Sequence, residues 1–296
     1  KLNFATGVMP WRDGVLVTAA PQIIFAKDTN GDGKADMQEV LYEGFVQGNQ
    51  QHRINGLRWG LDNWIHCANG DSGGAIKSSK TGESMDISGR DLRIQPDTGA
   101  MDAESGMTQF GIAFDDWGSR FGCANWLPVW HYPLDDRYMR RNPHFSPGNP
   151  REYVVEQAAL FPTSKTLTRF NDFEHVNRST STCGIEIYRD TVLGSEFYGN
   201  AFVCEPVHDL VLRTVLEPNG ATFSGHRAPG EEQSEFLSSH DNWFRPVQVR
   251  TGPDGALYVV DMYRQVIEHP EYISKETQAK LNLRAGDDKG RIYRVV

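Results

Sequence analysis

Long apolar runs are missing from this chain: none reaches the ~18 residues that a membrane-spanning helix requires. Cysteine is sparse, with four residues in 296, and no pair has the C-x-x-C spacing or the C-x-x-C-H that attaches haem. An excess of positive charge is missing too. Thirty Lys and Arg face 39 Asp and Glu for a net charge of −9, which argues against nucleic acid or an anionic membrane as the main partner. That balance is neutral about a sugar. There is no initiating Met and no signal peptide, and Lys1-Leu2-Asn3-Phe4 reads as mid-domain sequence. The expectation is an excised or processed piece of a longer protein.

What is present is the composition of a soluble globular protein: 39% hydrophobic and 23% charged residues. The length supports one sizeable domain or two ordinary ones. The 29 glycines and 15 prolines suit an all-β fold with many turns. Internal similarity then indicates which one. A short apolar strand opening on Gly-Leu, Gly-Ile or Pro-Val is followed by a polar turn and a second strand. The phrase occurs at 55–71, 110–126, 183–206 and 245–262, with a partial copy at 13–45. Repetition of one strand-turn-strand unit at this spacing predicts propeller blades rather than a sandwich. About five blades are evident. Long insertions are expected at 127–180 and 217–244, a short surface helix at 274–285 and a final strand at 290–296. Cys67 and Cys123 occupy equivalent places in two repeats, and Cys183 and Cys204 fall on neighbouring strands. One or two disulfides, which would suit an exported protein, or four buried thiols are both open.

The stretch QHRINGLRWGLDNWIHCANGDSGG at 51–74 carries the most chemistry. Its two strands, joined by a turn at Leu61-Asp62-Asn63, return His52 and Asp71 to the same edge of a sheet. A carboxylate beside an imidazole fixes its tautomer and raises its basicity, the requirements of a general base. A strand cap and a turn-closing aspartate would use the same residues.

His52, Leu57, Gly60, Asp62, Ile65, Gly70, Asp71 and Gly73 fall in the register H-x4-L-x2-G-x-D-x2-[IL]-x4-G-D-x-G. This resembles the soluble glucose/sorbosone dehydrogenases, which use pyrroloquinoline quinone on a six-bladed β-propeller. The phrases DTNGDGKAD, CGIEIY, EPVHDLVLR and FRPVQVRTGPDGALYVVDMYR extend the resemblance over residues 10–296. They are similar to the N-terminal propeller of the large membrane-bound dehydrogenase proteins of planctomycete-type bacteria. The resemblance implies a six-bladed type of fold whose N-terminal blade is absent or incomplete here, so that residues 1–296 form one propeller domain. It implies His52 as the base, Asp71 as its orienting partner and Arg245 as the arginine that approaches the quinone. It also implies a sugar or alcohol substrate, a c-type haem electron acceptor, and an exported, periplasmic or cell-surface location.

Asp28-Thr29-Asn30-Gly31-Asp32-Gly33-Lys34-Ala35-Asp36-Met37-Gln38-Glu39 fits D-x-[DN]-x-[DN]-G-x5-E. Oxygens of Asp28, Asn30, Asp32, Asp36 and Glu39 with the Lys34 carbonyl would suit a structural Ca²⁺. A solvated turn without metal is the plain alternative. The flanks read as strands, so a helical EF-hand is excluded.

Arg245, at the head of a strand, could pair with a carboxylate or an o-quinone oxygen, or form a salt bridge on the funnel wall. Arg264 and His208 are weaker candidates near the same rim, and Gln109 could add one hydrogen bond. The sequence also departs from the sugar dehydrogenases. Met107 and Thr108 stand where those enzymes carry an Arg-Asn pair, and a lysine expected near Pro206-Val207-His208 is missing. A tricarboxylate cofactor needs cationic partners. Two further readings therefore stand beside a dehydrogenase. One is a non-catalytic carbohydrate-binding or docking module that stacks sugars on Trp59, Trp64, Trp126, Trp130, Tyr132 and Trp243. The other is a Ca²⁺-dependent lactone hydrolase, which would need an axial ligand set from several blades that is not evident. Trp126 to Tyr132 and the 137–150 loop are expected to decide substrate choice.

Overall fold

The computed structural model describes residues 2, 4–144, 150–165 and 177–296. The architecture is an all-β propeller type built of five antiparallel sheets, the first two interleaved in the chain because Asn55–Trp59 and Ile65–Ala68 of the second precede Gly74–Ser78 and Ser84–Asp86 of the first. Helix among the described residues amounts to Asp136–Met139, Lys275–Gln278 and two short 3-10 turns. The expected 274–285 helix is therefore a single turn. Ser274 caps it by accepting from the Thr277 amide, and the following residues are turns. The final strand is Arg291–Val295.

The chain divides into two compact units, Lys1–Gly122 with Tyr132–Glu152, and Cys123–His131 with Tyr153–Val296. In the first, six strands pair in the order Gly7–Trp11, Gly14–Ala19, Gln22–Lys27, Met37–Phe45, Gly74–Ser78 and Ser84–Asp86. Its four-stranded sheet runs Ala100–Glu104, Asp91–Gln95, Ile65–Ala68, Asn55–Trp59. Leu16, Ile23, Tyr42, Ile65, Ile76, Leu92 and Ile94 are buried in one apolar cluster of this unit. In the second unit, Cys183–Ile187, Ala201–Glu205, Leu210–Asn219 and Thr222–His226 pair in sequence order, as do Pro246–Thr251, Leu257–Asp261 and Arg291–Val295. Tyr188, Phe202, Val211, Phe244, Val249 and Val259 form its core. The remaining sheet runs Ile112–Phe114, Arg120–Ala124, Leu127–Tyr132, Glu152–Val155.

Each of the four repeated phrases forms the antiparallel pair of a separate sheet; three open on a glycine, and in the first the reason for it is local. Gly56 has φ 69° beside an irregular register between Asn55 and Arg58. A Cβ there would sit 2.9 Å from the Gly111 Cα. The glycine thus lets the strand bulge and approach its neighbour, which an L side chain would prevent.

All four cysteines are free thiols, although Cys183 and Cys204 are register partners on adjacent strands. Burial pushes the Cys123 thiol up to about 12, so it is inert as a nucleophile. Positions 145–149 of the 137–150 loop and 166–176 of the 127–180 insertion lie outside the described residues.

Candidate functional site

His52 sits in the turn that leads into the strand Asn55–Trp59, and Asp71 follows the strand Ile65–Ala68 that pairs with it. The turn is closed by Asn49, whose carbonyl accepts from the His52 amide at 3.0 Å and whose side chain accepts from the Gln51 amide at 2.9 Å. The hairpin places His52 Nδ1 3.5 Å from Asp71 Oδ2, with side chains 30% and 27% exposed. That separation is an ion-pair contact rather than a tight hydrogen bond, and the exposure leaves the ring within reach of a solute.

Gln109 completes the group. Its amide nitrogen lies 3.2 Å from His52 Nε2 and 3.4 Å from Nδ1, and the Phe110 ring meets the imidazole edge-on at 6.1 Å. With the ring proton on Nδ1 facing the carboxylate, Nε2 presents its lone pair to a donor. Gln109 is that donor here. A substrate hydroxyl could take the same place.

The two segments that reach His52 are fastened behind it. Gly70 donates to the Thr108 carbonyl at 2.9 Å. The Asn55 side chain donates to the carbonyls of Arg53 and Gln109 at 2.8 and 2.7 Å. Asn69 donates from its side chain to the carbonyls of Ile87 and Arg90, both at 2.7 Å, and accepts from the Gly73 amide at 3.0 Å. None of these supports was apparent in the sequence except the repeated Ala-Asn phrase that contains Asn69.

The second unit holds the other expected residues. Arg245 is buried, and its guanidinium is engaged on all three nitrogens. Nη1 donates to the Pro206 carbonyl at 2.7 Å and to Asp209 at 3.0 Å. Nε donates to the Arg264 carbonyl at 3.0 Å and Nη2 to the Gln265 carbonyl at 3.2 Å. Burial pushes Asp209 up to about 6, against the pull of Arg245. Arg264 Nη1 donates to the carbonyls of Met262, Tyr263 and Gly286. His208 accepts from the Asn177 amide on Nε2 at 3.2 Å and faces Glu205 with Nδ1 at 3.0 Å. Arg245, Arg264 and His208 are thus engaged as a brace for the turns around them. In the first unit, Met107 is partly exposed and Thr108 is buried with its hydroxyl on Asp91. These residues do not fit the anchoring of a tricarboxylate quinone, which needs donors turned outward.

The Asp28–Glu39 loop is closed by its own amides. Asp28 accepts from Gly31 at 2.7 Å and Gly33 at 2.8 Å, Asn30 from Asp32 at 2.9 Å, and Asp32 from Lys34 at 2.8 Å. Asp36 accepts from the Thr29 amide and hydroxyl, and Glu39 lies in a strand opposite Phe25. Among the described residues no three His, Cys, Asp or Glu are gathered to hold a metal. These turns close without a metal, and Ca²⁺ binding by Asp28, Asn30, Asp32, Lys34, Asp36 and Glu39 is not shown. Of the aromatics, Trp130 and Tyr132 are core, Trp59 and Trp126 are exposed, Trp64 lies under Arg93, and Trp243 packs on Tyr263.

A family described as a domain of unknown function, DUF7133, matches residues 1–296. No curated protein matches. Among solved structures, the PQQ-bound aldose sugar dehydrogenase from Streptomyces coelicolor is 14% identical, with 97% of this chain and 81% of that one covered at a TM-score of 0.48. A putative oxidoreductase (glucose dehydrogenase) from Thermus thermophilus is also 14% identical, covering 100% and 97% at 0.43. A luciferin-regenerating enzyme is 12% identical, covering 87% and 70% at 0.48.

Proposed function

For this chain, which belongs to the DUF7133 family along its whole length, we propose a hydroxyl-activating site of the sugar- or alcohol-dehydrogenase type. One observation carries the reading: His52 stands 3.5 Å from Asp71 and 3.2 Å from Gln109, yet stays open to solvent. Nε2 accepts the proton of a substrate hydroxyl, and the Asp71 carboxylate stabilises the imidazolium that results. Gln109 yields its hydrogen bond to the incoming hydroxyl and holds the ring in place. Oxidation of the carbinol also releases a hydride, so the reaction needs a two-electron acceptor. Pyrroloquinoline quinone supplies such an acceptor when bound, with a c-type haem protein as the onward acceptor. Arg245 and Arg264 are engaged within the fold.

A second reading is favoured by that same engagement of Arg245: a hydroxyl-binding module without turnover. Titration with pyrroloquinoline quinone followed by a panel of sugars and alcohols separates the two. Saturable binding with substrate-dependent reduction, lost in His52→Ala, supports the oxidoreductase. Sugar binding that persists in His52→Ala, with no reduction in the wild type, supports the module.

A further inference from the structure

Asp91 heads the strand Asp91–Gln95 and is fully buried, twenty residues beyond Asp71 in the chain. Its Oδ1 accepts from the Asn69 amide at 3.0 Å and from the Thr108 amide at 2.8 Å. Its Oδ2 accepts from the Thr108 hydroxyl at 2.6 Å, which also lies 2.9 Å from the Tyr132 hydroxyl. Asn69 and Thr108 each stand one or two residues before a group that touches His52: Asn69 before Asp71, Thr108 before Gln109. A buried carboxylate that accepts several amides is a stiff junction, because each donor it releases is left without a partner.

We propose that Asp91 is the positioning residue of the His52 site, pinning the Asp71 and Gln109 segments to each other so that both face the imidazole. The proposal rests on the reading of His52 as the base. One further bond joins these two segments directly, from the Gly70 amide to the Thr108 carbonyl; Asn55 ties the His52 strand to Gln109, and Asn69 ties the Asp71 segment to Arg90 beside Asp91. Asp91 bonds both segments at once through a side chain that does not touch His52. Arg120 stands 3.8 Å from Asp91 Oδ2 and keeps Glu104 as a second partner at 3.1 Å, so removing Asp91 does not strand the guanidinium.

The test reads His52 directly, independently of turnover. The imidazole Cε1–H resonance, identified by its loss in His52→Ala, is followed in histidine-labelled protein. Asp91→Ala should shift it toward its position in Asp71→Asn, and Asp91→Asn, which keeps the Oδ1 acceptor, should restore it. Where turnover is measurable, Asp91→Ala should lower kcat roughly 10- to 100-fold with KM little changed, as expected for a misplaced base. If Asp91→Ala does not fold, Thr108→Val, which removes only the hydroxyl link, decides through a smaller shift in the same direction. A His52 resonance unmoved in folded Asp91→Ala, or in Thr108→Val, overturns the proposal. Absence of turnover in the wild type would sink the base reading while leaving the resonance result intact.

Discussion

Asp71 faces His52 from a left-handed backbone, φ 69°, with its Oδ2 3.5 Å from Nδ1. Few non-glycine residues adopt this region, and it costs conformational energy. Here it turns the carboxylate back over the hairpin end toward the imidazole. If that contact serves proton transfer, His52→Ala should lower hydroxyl-dependent turnover by about 10²–10⁴-fold. Asp71→Asn should lower it less, with KM nearly unchanged. Steady-state kinetics with dye reduction reads both; wild-type rates in His52→Ala would remove the site from the chemistry.

Gly70 sets the same geometry from one residue earlier. Its φ is 74°, and a Cβ would lie 2.1 Å from the Arg53 carbonyl oxygen. Backbone must move to admit it. Gly70→Ala should therefore destabilise the protein by about 2–3 kcal/mol and separate Asp71 from His52. Denaturant melts give the first quantity and the His52 resonance the second. A variant as stable as the wild type would mean that the turn relaxes without cost.

Arg245 permits a sharper decision. A side chain that braces four neighbouring groups through a planar fork cannot be replaced by a single ammonium. Arg245→Lys should cost about 3 kcal/mol, the scale of a broken buried ion pair, with or without quinone present. If instead the melting temperature holds while quinone affinity falls, the guanidinium is available to a ligand.

The His52–Asp71 meeting was legible because a two-stranded hairpin must return its ends to one edge, and the repeated phrases announced the sheets. The engagement of Arg245 was not. Apart from Asp209, its acceptors are backbone carbonyls at 206, 264 and 265, set by turn geometry that leaves no residue-type signal. Asp91 was invisible for a related reason: its donors are two main-chain amides and a threonine, none of which a motif records. The Asp28–Glu39 loop shows the converse. Its residue types match a calcium loop at every position, yet the same oxygens close Asx turns on neighbouring amides.

The loop therefore gives a prediction of its own. Gly33 and Gly31 amides hold the Asp28 carboxyl below its ordinary range, so the turn has a closed form without metal. Chelation should leave the melting temperature unchanged, whereas Asp28→Ala should speed proteolysis between 28 and 39. A rise in melting temperature with added calcium, abolished by Asp28→Asn, would restore the metal.

Stability should also depend on pH through the carboxylates around the buried His66. His66 lies 2.7 Å from Glu104 and 3.2 Å from Asp62, and Arg120 joins Glu104 at 3.1 Å. Burial alone would push His66 down, but the two carboxylates outweigh it and hold the imidazolium above its ordinary 6.5. For Asp62, burial pushes upward, but His66 and Arg93 outweigh it and hold the carboxyl below its ordinary 3.8. The signs then follow from proton linkage. The His66 contribution is fully present below about pH 6.5 and is lost as pH rises through the higher folded value. The Asp62 contribution is fully present above about pH 3.8 and is lost as pH falls through the lower folded value. Both are complete only between these limits, so unfolding free energy should decline as pH rises above about 6.5. His66→Gln keeps a donor but carries no charge, and should flatten that decline while lowering stability at pH about 5. Urea melts of the two proteins across the range decide it. Parallel curves would mean that His66 binds its proton equally well in the folded and unfolded chains, so that the two carboxylates do not raise it.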